Sequence, residues 1–197
     1  MLTVNTLWYV GRGSGLIDLV LLTTATVLGI VNRSGRPAAG LPRFAVAVVH
    51  RNASLLALMF LAIHVLTLLA DPFARLHLED IVLPFAASYR PLWMGLGTVA
   101  LDLMLALVAT SLLRHRMSVA AWRLIHWTAY AAWVFAVTHT LGTGTDNGSA
   151  WLLVTTIACI VAVAIAVGWR LSAGFSEADQ LQAAPMRGGT QRPVPRP

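Results

Sequence analysis

Four of the six histidines in this 197-residue chain stand inside strongly apolar segments, His50 and His64 in one and His126 and His139 in another. A neutral imidazole offers a lone pair on one ring nitrogen to a metal and leaves the other nitrogen for a hydrogen bond, so paired histidines on neighbouring helices are a ligand arrangement. His50 and His64 lie 14 residues apart, nearly four helical turns, which returns them to within about 40° of one face and spaces them roughly 21 Å along the axis. His126 and His139 lie 13 apart, roughly 20 Å along the axis, but on an ideal helix their rings point about 140° apart. A tightened, bent or ending helix near His139 is therefore expected.

The elements that must position these rings follow from composition. With 57% hydrophobic and only 11% charged residues, the chain is far more apolar than a soluble domain, whose charged fraction is about a quarter. Five apolar runs, at about 15–31, 44–70, 92–113, 119–141 and 150–169, are each near the roughly 20 residues that a helix needs to cross a bilayer. The first carries Asp18 and lacks the basic leader and small-residue cleavage site of a secretory signal, so it is read as a spanning helix. The expectation is an all-α polytopic transmembrane bundle over residues 1–170, followed by a disordered tail over 171–197 that is rich in Ser, Glu, Gln, Gly, Pro and Arg.

The net charge of +6 falls in loops and tails and reports topology rather than nucleic-acid binding. Arg33, Arg36 and Arg43 follow the first run, Arg114, Arg116 and Arg123 surround the junction of the third and fourth, and Arg170, Arg187, Arg192 and Arg196 follow the fifth. These segments are expected in the cytoplasm and the N-terminus outside, with Asp71, Glu79, Asp80 and Asp146 on the outer side. The outer loop holds Pro72, Pro84 and Pro91 around an apolar stretch at 81–87 that is too short to cross, an interfacial or re-entrant piece able to act as a lid. The single cysteine, Cys159, excludes an internal disulfide and the Cys-x-x-Cys-His attachment of c-type haem. The glycine pattern of a nucleotide-binding turn is also missing, so a flavin or NAD(P)H site belongs to a partner.

On this topology the second and fourth runs both cross from inside to outside, so His50 faces His126 and His64 faces His139. Two imidazoles on one iron give a six-coordinate, low-spin site suited to electron transfer, and the fitting cofactor is noncovalent b-type haem, one at each level. Arg51 and Arg123, beside the cytoplasmic histidines, are candidate partners for haem propionates. Asp102, near the middle of the third run, is expected to face inward because an ionised carboxylate at that depth costs several kcal/mol, while Asp18 is expected to reach water. Trp133 and Phe60 lie between the two levels and read as packing residues. His77 and His115 fall in loops.

The His50/His64 pair with its turn-rich loop, Trp122-Arg123-Leu124-Ile125-His126 opening the fourth run, and His139 near its end together resemble the ferric reductase-like transmembrane domain. That unit is shared by ferric reductases, NADPH oxidases and the haem subunit of bacterial methionine-sulfoxide reductase, and the likeness covers about 42–146. The resemblance implies two stacked b haems, held by His50, His64, His126 and His139. It also implies electron flow from a cytosolic flavoprotein reductase to an acceptor at the outer face, such as a redox protein, at the cell membrane. In that reading this chain is the electron-transfer subunit of an oxidoreductase, without a catalytic flavin or nucleotide domain of its own. A b561-type or hydrogenase-type cytochrome, or a His/Asp proton-coupled transporter without haem, would be the other classes compatible with buried histidines.

Overall fold

A computed structural model describes residues 4–34, 40, 42–72, 74–143 and 149–172, and their regular structure is entirely helical. The elements are α1 (Val4–Ser34), α2 (Arg43–Ala70), the short α3 (Leu78–Val82), α4 (Pro91–Leu112), α5 (Val119–His126), α6 (Thr128–Thr143) and α7 (Ala150–Leu171), with a 3-10 turn at Arg114–Arg116 between α4 and α5. The protein is a multi-pass integral membrane protein. Four helices, α1, α2, α4 and α7, are each long and apolar enough to cross a membrane. The expected fourth run is not among them: it forms two shorter helices, α5 and α6. Most of the expected tail, together with Asp146, Arg36, Arg187, Arg192 and Arg196, lies outside the described residues.

The helices pack as two antiparallel pairs, α1 on α2 and α4 on α6, and α1 joins the pairs by also touching α6 and α7. The core is the seam where these meet: Leu19 and Leu22 of α1, Met104 and Leu107 of α4, Ala132, Trp133 and Val137 of α6, and Cys159 and Val163 of α7. Trp133 bears out the packing role, and its indole N–H donates to Thr23 Oγ1 of α1 at 2.9 Å, which satisfies a polar group in the middle of that seam. Leu55 and Leu66 of α2 and Val154 and Ile165 of α7 are exposed, as suits helices whose outer faces meet lipid.

Three sequence expectations are corrected. The first helix starts well before residue 15: the stretch holding Gly11, Arg12 and Gly13 is helical, with the Arg12 guanidinium 5.1 Å from the Trp8 ring. Asp18 does not reach water but is buried, and its Oδ1 finds no hydrogen-bond partner among the described residues. Asp102 does the reverse. It is exposed, while Ala100 and Met104 are buried, and two residues of helix turn a side chain by about 200°, so Asp102 points away from the bundle.

The segment between α2 and α4 is pinned to α4 rather than free. Phe85, at a positive φ of 69°, lays its ring against Gly95. The buried Asp80 accepts the His77 backbone N–H at 2.9 Å, and its own carbonyl accepts the Thr98 hydroxyl at 2.8 Å.

Candidate functional site

Three of the four histidines of the apolar runs are held in the same way, and neighbouring helices supply the means. His64 Nδ1 donates to the Gly11 carbonyl at 2.6 Å, His50 Nδ1 to the Ala25 carbonyl at 2.9 Å, and His139 Nδ1 to the Trp93 carbonyl at 2.8 Å. In each case the residue four places after the accepting carbonyl is a glycine that lies against the same ring: Gly15 on His64, Gly29 on His50 and Gly97 on His139. A helical carbonyl is normally shielded by the side chain one turn later, because side chains lean back toward the N-terminus. Glycine at that place uncovers the carbonyl and admits an imidazole from the adjacent helix.

The room is tight. A Cβ on Gly15 would stand 2.7 Å from His64 Nδ1, one on Gly97 2.6 Å from His139 Nδ1, and one on Gly29 3.3 Å from His50 Cε1. Sequence reasoning missed these glycines, although a signal was present. Gly15 and Gly29 are 14 residues apart, the same interval as His50 and His64 on the antiparallel partner helix.

With Nδ1–H committed to a carbonyl, the lone pair of each ring is on Nε2, the tautomer in which metal-bound histidines are usually held by a second partner. His64 is tethered to α1 and His139 to α4, and their rings come together at a centroid distance of 6.4 Å with planes 83° apart. Two imidazoles bound in line to one metal, at about 2.0–2.1 Å per nitrogen–metal bond plus about 1.1 Å from nitrogen to ring centre, would have centroids about 6.3 Å apart. The pair therefore fits a bis-histidine iron, and the chemistry of the donor set, two neutral imidazoles in an apolar surround, is that of b-type haem. Among the described residues no group of three or more His, Cys, Asp or Glu is arranged to hold a bare metal ion.

The other pair is looser. His126 lies within electrostatic range of His50 and Arg114, and its ring stacks on Trp122 one turn earlier, with centroids 4.7 Å apart and planes within 20°. The helical irregularity expected near His139 is instead beside His126, where Trp127 N–H is shared between the Arg123 and Leu124 carbonyls at 3.2 Å each. Tightening of this kind turns successive side chains by about 120° instead of 100° and so moves the His126 and His139 rings toward a common face. The break is braced by Arg170 of α7, whose guanidinium lies 4.4 Å from the Trp127 ring and donates to the Tyr130 hydroxyl at 2.6 Å.

Of the two candidate propionate partners, Arg123 is half-buried on α5, and Arg51 is exposed, one residue and so about 100° around α2 from His50. Arg90 serves the scaffold instead. It donates to the Gly142 carbonyl at 2.6 Å and so caps α6, where a cation suits the helix C-terminus. Trp93 packs so closely on Gly142 that any side chain there would collide with the indole.

A family model described as the ferric reductase like transmembrane component matches residues 14–137. The chain belongs to that family. The matched stretch opens in α1 just before Gly15, takes in His50, His64 and His126, and stops two residues short of His139. Members of the family are generally haem-binding and usually work with partner redox proteins in a membrane, so the protein is a transmembrane ferric-reductase-like haem subunit in general outline. Neither the curated proteins nor the solved structures include a match.

Proposed function

We propose that this protein conducts electrons across the cell membrane through two noncovalent b-type haems, one between His64 and His139 near the outer face and one between His50 and His126 near the cytoplasm. The observation that carries the reading is the His64–His139 pair, 6.4 Å between centroids with each ring anchored through Nδ1 to a different helix. The basic segments around Arg33 and Arg43, around Arg114, Arg116 and Arg123, and at Arg170 support a cytoplasmic position for the C-terminus and an outer position for the N-terminus.

Haem in these sites would supply one-electron chemistry at an iron with no open coordination position, which favours electron passage over substrate binding at the metal. The protein's part is positional. The carbonyls of Gly11, Ala25 and Trp93 fix the proton of His64, His50 and His139 on Nδ1, so Nε2 is already oriented and little reorganisation accompanies a change of charge. Trp133 and its bond to Thr23 keep the space between the two levels closed and dry. Arg123, with Arg51 at the surface, offers cations to propionates at the inner level. The electron enters from a cytosolic flavoprotein reductase and leaves to an acceptor at the outer face, such as a redox protein. Flavin and NAD(P)H are used only through that partner.

The test is the dithionite-reduced minus oxidised spectrum of the purified full chain, with haem quantified per polypeptide. Two b-type haems are expected. His64→Ala or His139→Ala should remove one, and His50→Ala or His126→Ala the other. A polypeptide without pigment, even when haem is supplied during expression, would refute the proposal.

A further inference from the structure

The fourth ligand breaks the pattern of the other three. His126 Nδ1 is buried and has no hydrogen-bond partner among the described residues. The helix that serves His139 through Trp93 and Gly97 has Leu107 and Ser111 at the positions 14 residues further on. There the glycine is replaced by serine, and the Leu107 carbonyl already accepts the Thr110 hydroxyl at 3.2 Å. The carbonyl-and-glycine unit of the other three rings is therefore not repeated at this place. His126 is held instead by a stack: its ring lies on Trp122 at 4.7 Å, and the Arg114 guanidinium lies 4.6 Å from the Trp122 ring. Trp122 Nε1 is itself buried without an acceptor among the described residues, so the indole acts through its face and not its N–H.

An imidazole whose Nδ1–H donates to a carbonyl gains electron density at Nε2 and is the stronger donor to ferric iron. A ring without that acceptor favours the ferrous state, and ligand basicity is one of the means by which a protein sets haem potential. We propose that Trp122, under Arg114, is the positioning residue of His126, a stacked support in place of a carbonyl and a glycine, and that the His50/His126 level is consequently the higher-potential of the two. This rests on the bis-histidine haem reading above.

The experiment is a potentiometric titration of the haem-loaded full chain, followed in the visible α band and by low-temperature EPR of the ferric state. Two resolved components are expected. Trp122→Leu should convert part of the higher-potential component from low-spin to high-spin, while Trp122→Phe, which keeps an aromatic face, should preserve it. Gly29→Ala is an independent probe, because its Cβ at 3.3 Å from His50 Cε1 nudges that ring away from the Ala25 carbonyl, and it should raise the same component further. Coincident potentials, an effect of Trp122→Leu on the lower component alone, or an unmoved potential in Gly29→Ala would each overturn the inference. A colourless preparation would instead overturn the haem reading on which it stands.

Discussion

Substituting Gly15 by alanine tests the geometry most directly, because the cost can be worked out from the contact. The new Cβ would stand 2.7 Å from His64 Nδ1 and 2.8 Å from Cε1, whereas non-bonded carbons rest about 3.5–4.0 Å apart, so the ring must withdraw by about 1 Å. The bond it would abandon is the 2.6 Å donation to Gly11. Leaving a buried N–H unpaired costs about 1–3 kcal/mol, and loss of a second partner behind a metal-bound histidine typically lowers affinity by about 10–100-fold. The expectation is one haem lost or weakened by that factor, measured as the haem-to-protein ratio when haem is limiting during expression. Gly13 supplies the control. An alanine Cβ there meets nothing within 4 Å, and the substitution should leave both haems in place while favouring the helix by roughly 1 kcal/mol. Equal haem content in the Gly13→Ala and Gly15→Ala proteins would refute the role assigned to the glycine.

Three further outcomes follow from the packing. Asp102→Leu removes a carboxylate from an exposed position midway along an apolar helix, so it should favour the folded, inserted protein by about 3–4 kcal/mol in a denaturation assay in micelles or bilayers and leave the haem spectrum unchanged; loss of pigment would show that the carboxylate serves the site. Trp133→Phe deletes the donation to Thr23 and should cost about 1 kcal/mol of stability by thermal denaturation, with both haems retained; an unchanged midpoint would remove the bond from the account of the core. Arg90→Gln unties the α6 terminus at Gly142 and should increase hydrogen exchange in the last turn of that helix, with little change at His126.

What is legible in the sequence divides along one physical line. Where a residue is costly in hydrocarbon, its presence signals a purpose, and His50, His64, His126 and His139 stand out on that basis from residue type and spacing alone. Which way a helix turns is another matter, because lipid and protein core are both apolar and hydrophobic periodicity loses its meaning inside a membrane. Asp102 and Asp18 both fall in surroundings opposite to those expected for that reason: the expectation places each by what it would cost, and cost alone does not say which face packs. Likewise, the break after His126 has neither proline nor glycine to announce it, and rests on a shared backbone bond at Trp127 and the brace from Arg170.

The glycines show what does survive in such a sequence. When side chains on every face are apolar, the informative residues are those that remove bulk, since only they say where another helix or ring comes close. Gly15 and Gly29 repeat the interval of the two histidines on the facing helix, and Gly97 repeats the same relation to His139, so small residue, uncovered carbonyl and imidazole form one unit used three times. The unit is not repeated at Leu107 and Ser111, 14 residues on from Trp93 and Gly97, and His126 is the one of the four histidines held by stacking. On the proposed haem reading, the two levels differ in donor strength because of the helices that lend their carbonyls and not because of the histidines themselves.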